Sequence, residues 1–350
     1  MRDDMQRRLQ AYCARAFPTK AGVQVSNLTS ITSGWENEMY AFELEHEANG
    51  GYQRDGLVLR MYPGEDGYDK SAHEFYGMRQ LHQTGYLVPW LFLLERENSS
   101  LDKPFVIMER IEGHELWSLL LTSPVQKQQE LLTLFCKLFV RLHVLDWRPF
   151  VDDIASYERG RYLFVDQWLS AARDALRRFQ KLDWLPLVEW LEERRNRVPC
   201  PRPSLVHWDY HPANVLLRDD GSAVVIDWTG LRVSDARFDL AWTLLLAYSY
   251  VGVEWRDRIL HEYERLMGIA DSRQGAKVEQ IEYFEVCACC RRLFDVGVSL
   301  SEGAEKMGMR PGAEAMMKQQ RGALENVYGL LVERTGIKVA EVERLLTSLC

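Results

Sequence analysis

The segment SLVHWDYHPANVLLRDDGSAVVIDW, residues 204–228, decides the reading of this chain. Asp220-Gly221 is a two-residue hairpin signal, because both positions tolerate positive φ. On either side lie short apolar, β-prone runs, 214–217 and 223–226. A turn centred on 220–221 places Asn214 directly opposite Asp227, with Cβ atoms roughly 4.5–5.5 Å apart. Moving the turn by one residue keeps the two as neighbours. An amide oxygen and a carboxylate at that spacing are hard ligands suited to Mg²⁺ shared with phosphates. Asp209 stands five residues before Asn214, in an irregular stretch with His211-Pro212, and can point into the same space. Three such groups around one point are costly unless a cation or a substrate joins them.

His207-Trp-Asp209, Asn214 and Ile226-Asp227-Trp228 resemble the catalytic and metal-binding segments of aminoglycoside phosphotransferases and choline-kinase-like enzymes, the small-molecule branch of the protein-kinase-like superfamily. The resemblance extends from about residue 23 to 250. It implies a two-lobe α+β fold that binds ATP, or another nucleoside triphosphate, with Mg²⁺. It also implies transfer of the γ-phosphate to a hydroxyl on a small molecule. Asp209 is then the base, and Asn214 and Asp227 the metal ligands. Trp228, where protein kinases carry Phe-Gly, argues against a protein substrate. A nucleotide-binding pseudokinase module is the alternative from another class.

The flanking sequence is compatible with that reading. Residues 2–17 read as a helix, 23–62 as strands with a hairpin signal at Asn49-Gly50-Gly51, and 68–84 as a helix. Two short strands follow near 91–96 and 104–111. From 125 the pattern is helical apart from the 204–228 island. The expected division is a nucleotide-binding lobe over 1–111 and a helical lobe over 112–350. In 57–62, alternation sends Leu57, Leu59 and Met61 to one face and Arg60 to the other. Glu74, Met78 and Leu81 share one face of the 68–84 helix. A carboxylate on an apolar face needs a partner, and Arg60 is the natural one.

That pair resembles the family's strand cation and helix glutamate, which grip the α- and β-phosphates. Ser33-Gly34 occupies the place of the phosphate-covering loop, with its single glycine. The stretch from Glu109 to Ile111 resembles the hinge whose backbone bonds an adenine edge. His143 and His207 read as structural rather than catalytic. Asp239 reads as a helix N-cap or as a brace for the catalytic loop. Glu282 and Glu285, three apart on a helix, suggest one acidic face that would draw a cationic acceptor.

Bulk properties bound the alternatives. The 350 residues carry a net charge of −8, and no dense basic run appears, so nucleic acid is not an expected partner. No apolar run is long enough to span a bilayer. Residues 1–10 are charged and lack a signal-peptide core, so the expected location is cytoplasmic. The seven cysteines show no metal-ligand spacing and read as buried thiols.

Overall fold

The computed structural model describes all residues except 1, 32–36, 49, 65, 97–100, 271–276, 311 and 350. The elements run α1 (Arg2–Ala16), β1 (Ala21–Ile31), β2 (Glu38–Ala48), β3 (Gly51–Met61), α2 (Gly67–Gln83), β4 (Leu91–Glu95), β5 (Phe105–Glu109) and β6 (His114–Glu115). Next come α3 (Leu116–Thr122), α4 (Val125–Val144), α5 (Ile154–Arg159), α6 (Leu163–Arg178), α7 (Leu185–Arg194), β7 (Pro203–Val206), β8 (Val215–Leu217) and β9 (Ala223–Val225). The chain closes with β10 (Arg232–Asp235), α8 (Ala236–Tyr250), α9 (Val253–Ala270), α10 (Ile281–Glu302), α11 (Ala313–Lys318), α12 (Arg321–Thr335) and α13 (Ala340–Ser348). This is a mixed α+β chain with an antiparallel sheet first and helices afterwards.

Two compact units result. One holds residues 1–114, 216–229 and 308–311; the other holds 115–215, 230–307 and 312–350. The second lobe is therefore not the continuous 112–350 stretch expected, because most of the β8–β9 hairpin groups with the first unit.

In the first unit the sheet order is β1-β2-β3-β5-β4. Ala48 pairs with Gly51, closing the β2–β3 hairpin beside Gly50 at φ +79°. Leu57, Leu59 and Met61 of β3 are buried with Leu9 and Cys13 of α1, as the alternation requires. The opposite face buries Tyr62, Val106 and Met108 with Phe75 of α2. With both faces covered, Arg60 is buried too, and its charge has to be met inside the unit.

The hairpin between β8 and β9 differs from the expected register. The Arg218 N–H donates to Ser222 O (2.8 Å) and the Gly221 N–H to Arg218 O (2.9 Å). Its loop is thus three residues, Asp219 to Gly221, with Gly221 in the left-handed region. The ladder shifts by one residue. Asn214 ends a short 3-10 turn before β8 and is not a ladder residue, so the cross-strand opposition to Asp227 does not hold.

The helical unit is built around α8, which is buried nearly all round. The buried thiols of Cys287, Cys289 and Cys290 lie on α10, and burial pushes Cys290 up to about 12. Among the described residues, no helix is long and apolar enough to cross a membrane.

Candidate active site

In the helical unit, β7 delivers His207-Trp208-Asp209 and pairs with β10, Val206 opposite Arg232. Trp208 lies at φ +73°, a strained conformation for a bulky residue. Asp239 holds it there. Its carboxylate accepts from the His207 N–H (2.7 Å) and the Trp208 N–H (2.9 Å). His143 Nε2 lies 3.4 Å away, and both side chains are fully buried. Asp239 is therefore the brace, and the N-cap of α8 is Asp235, which accepts from the Arg237 N–H. Gly230 completes the loop, because a Cβ there would stand 2.7 Å from His207 O and from Trp208 Cβ.

The loop presents Asp209, whose side chain is 40% exposed. Its Oδ1 accepts from Trp242 Nε1 (2.6 Å), and its Oδ2 lies 3.6 Å from His211 Nε2. Burial opposes ionisation, but His211, Arg291 and the indole N–H together outweigh it. They hold the carboxyl below the usual carboxylate range. Asn214 donates its Nδ2 to Asp209 O (2.9 Å). Its Oδ1 takes no hydrogen bond among the described residues. Tyr210 belongs to the core, stacked on Phe139 at 4.0 Å.

In the first unit, Arg60 gathers the polar groups. Its Nη1 lies 3.2 Å from Glu74 Oε1 and its Nη2 2.6 Å from Asp227 Oδ1. With the Asn37 amide oxygen turned toward the guanidinium, Nη2 and Nε also donate to it, at 2.7 and 3.1 Å. Glu74 accepts from the Tyr62 hydroxyl at 2.5 Å. Burial raises its carboxyl above the ordinary value, against the pull of Arg60 and with a further push from Asp227. Asp227 itself sits at φ +67° with its side chain 36% exposed. Its Oδ2 takes no hydrogen bond among the described residues and stands as a hard oxygen without a partner. That chemistry fits a magnesium ion. Trp228 is wholly buried, edge-on to Tyr86.

The expected hinge is narrower than its sequence suggests. The Glu109 N–H donates to Trp90 O (2.8 Å) and the Arg110 N–H to Gly56 O (3.0 Å), so neither can read a base. Ile111 N–H has no such bond among the described residues. Glu109 uses its carboxylate on the Trp90 N–H (3.1 Å) and on Arg218. Ser33 and Gly34 lie outside the described residues.

Glu282 and Glu285 do not form one acidic face. Glu282 is exposed. Glu285 is buried between Arg256 (2.5 Å) and Arg334 (3.0 Å). A three-residue step on a helix turns by about 60°, enough to cross from the buried to the solvent side. Sequence reading missed the Asn37 side chain, Trp242 and Arg291. For Trp242 a signal existed: Asp239, Trp242 and Thr243 fall at i, i+3 and i+4 on α8. Asp239 and Trp242 bond the catalytic loop, and Thr243 Oγ1 donates to Tyr210 O (2.6 Å).

Residues 27–276 match the model of the phosphotransferase enzyme family APH. Comparison with curated protein sequences finds no match. Among solved structures, choline kinase LicA from Streptococcus pneumoniae is similar at TM-score 0.57 and 14% identity, covering 93% of this chain and 99% of that one. The gentamicin complex of APH(2")-IIa is similar at TM-score 0.57 and 16% identity, with 95% and 97% covered. APH(4)-Ia with AMP-PNP and hygromycin B gives TM-score 0.56 and 16% identity, with 91% and 97% covered. These likenesses establish the protein-kinase-like fold.

Proposed function

Because the chain belongs to the phosphotransferase enzyme family, we propose that it moves the γ-phosphate of ATP onto a hydroxyl of a small molecule, with Asp209 as the base. The observation that carries this reading is Asp209 itself. It is an ionised carboxylate with one oxygen pinned by Trp242 and a surface still open to a ligand.

Asp209 orients the acceptor hydroxyl and takes its proton late, as the phosphorus–oxygen bond forms. Catalysis is mainly positioning and electrostatics, so the strain at Trp208 and the Asp239 brace matter as much as basicity. Arg60, fixed by Glu74 and Asn37, binds the non-transferred phosphates. Its planar fork is better matched to two phosphate oxygens than a lysine would be. Asn214 and Asp227 would hold magnesium, and the ion would supply the positive charge that offsets the nucleotide phosphates. Ile111 N–H supplies the hydrogen bond to the base edge. Relatives bind aminoglycosides or, by name, act on choline; fold does not choose among such acceptors.

The test is incubation with radiolabelled ATP, Mg²⁺ and a library of hydroxylated small molecules of varied charge. A labelled acceptor supports the proposal. Nucleotide that binds but is never consumed points to a regulatory module instead.

A further inference from the structure

The neighbourhood of Asp209 in the helical unit is built from a fixed guanidinium and two indoles. Arg291 of α10 lies over the Trp242 ring at 4.0 Å and 5.4 Å from the Trp208 ring centre. Its Nη1 donates to Trp208 O at 2.7 Å, which fixes the plane of the guanidinium. Its Nε is 3.9 Å from Asp295, a long ion-pair contact with a carboxylate whose side chain is 31% exposed. Nη2 takes no hydrogen bond among the described residues. Arg232 lies over Trp208 as well, at 4.3 Å.

The acids nearby in sequence and fold are committed elsewhere. Asp235 pairs with Arg237 at 2.6 Å, Asp239 braces the loop, and Glu285 is held by two arginines. Beside the base an acceptor would meet a fixed guanidinium whose ion-pair contact with Asp295 is a long 3.9 Å at Nε and leaves Nη2 open.

We propose that the acceptor carries an anionic oxygen group, a carboxylate or phosphate, beside its hydroxyl, and that Arg291 binds that group through Nη2. The inference rests on the phosphotransferase reading and sharpens it. Arg291 suits the task because the two indoles and the Trp208 carbonyl already immobilise it, so little side-chain entropy remains to be lost on binding. A charge-assisted hydrogen bond from such a group is strong, and a like charge brought close to it is repelled.

Acceptors matched in skeleton and differing in charge test this. Glucuronate, glucose and glucosamine make one set, and glycerate, glycerol and ethanolamine another. With Mg·ATP and the full chain, kcat/KM should fall in the order anionic, neutral, cationic. Arg291→Met keeps the packing between the indoles but removes the charge. It should cut the anionic-to-neutral ratio roughly ten- to a hundredfold, the scale of a charged hydrogen bond, mainly through KM. A purely structural Arg291 would lower all acceptors together and leave the ratio intact. Should Arg291→Met fail to fold, Arg291→Gln carries the same test, since it removes the charge and keeps a polar side chain. A preference for the cationic member, or an unchanged ratio in the variant, overturns the inference. Absence of transfer to any acceptor in a broad library, with Mg·ATP bound, sinks the phosphotransferase reading and the inference with it.

Discussion

Two buried glutamates on helices, Glu74 and Glu285, invite comparison. Both are 1% exposed and both are met by arginine. Around Glu285 both carboxylate oxygens are met: Arg256 takes Oε1 and Arg334 takes Oε2, and the further acids these arginines touch, Asp257 and Glu333, are exposed. Around Glu74 the arginine is shared. Arg60 alone faces both Glu74 and Asp227, and Asp227 keeps one oxygen without a partner. A buried carboxylate whose two oxygens are both held by arginine is a brace. A cluster in which one arginine serves two acids and leaves a carboxylate oxygen open can take a cation. A buried acid is thus no guide to function by itself; what matters is whether its surroundings leave an oxygen to be satisfied.

The comparison breaks first at Asp227. Asp227→Ala removes the open oxygen, and Mg-dependent ATP affinity should fall by about a hundredfold or more, a loss of about 2.7 kcal/mol. Metal-free nucleotide binding should change far less. Titration calorimetry with and without Mg²⁺ checks this, and equal losses in both would remove Asp227 from the metal site.

The reverse pattern belongs to Glu285. Glu285→Ala strands two partly exposed arginines and should cost about 2–3 kcal/mol in denaturant unfolding. Nucleotide affinity of the folded protein should be unaltered. A smaller penalty, or a weakened ATP affinity, would erase the distinction between the two clusters.

Tyr62→Phe is a finer probe. It takes one hydrogen bond from Glu74 and should cost about 1–2 kcal/mol of stability. It should also loosen Arg60, read as a modest rise in ATP Kd.

The smallest effect concerns pH. Asp209 is depressed in the folded chain, so the stabilisation due to its ionisation is complete above the unfolded value of about 3.9. That stabilisation is lost as pH falls through the lower folded value. The melting-temperature difference between the wild type and Asp209→Asn should stay level from pH 7 to about pH 5 and shrink only below about pH 4. A difference that already shrinks near pH 6 would contradict the depressed carboxyl.

Local chemistry made much of this legible. The alternation of 57–61 named the core face of β3, and the apolar face of α2 marked Glu74 as a buried acid needing Arg60. The segment from Asp209 to Asp227 carried the resemblance without help from the fold. Two kinds of information were not legible. One was the choice between near-degenerate local states: Asp219-Asp220-Gly221 accommodates a two- or a three-residue loop, and Glu282 and Glu285 fall on the solvent and buried sides of one helix. The other was long-range pairing. Asn37 reaches Arg60, Trp242 reaches Asp209 across 33 residues, and Arg291 reaches Trp208 across 83. The i, i+3 spacing on α8 marks Trp242 as a face-mate of Asp239, but only tertiary packing brings each of these pairs together.

The role of Asp209 is open to one direct measurement, single-turnover phosphoryl transfer to the true acceptor by Asp209→Asn with Mg·ATP bound. The amide can still engage the Trp242 N–H but cannot take a proton. The rate should fall by about 10²-fold or more while Mg·ATP affinity stays within about twofold of the wild type. Near-normal transfer by this variant would contradict the assignment of Asp209 as the base.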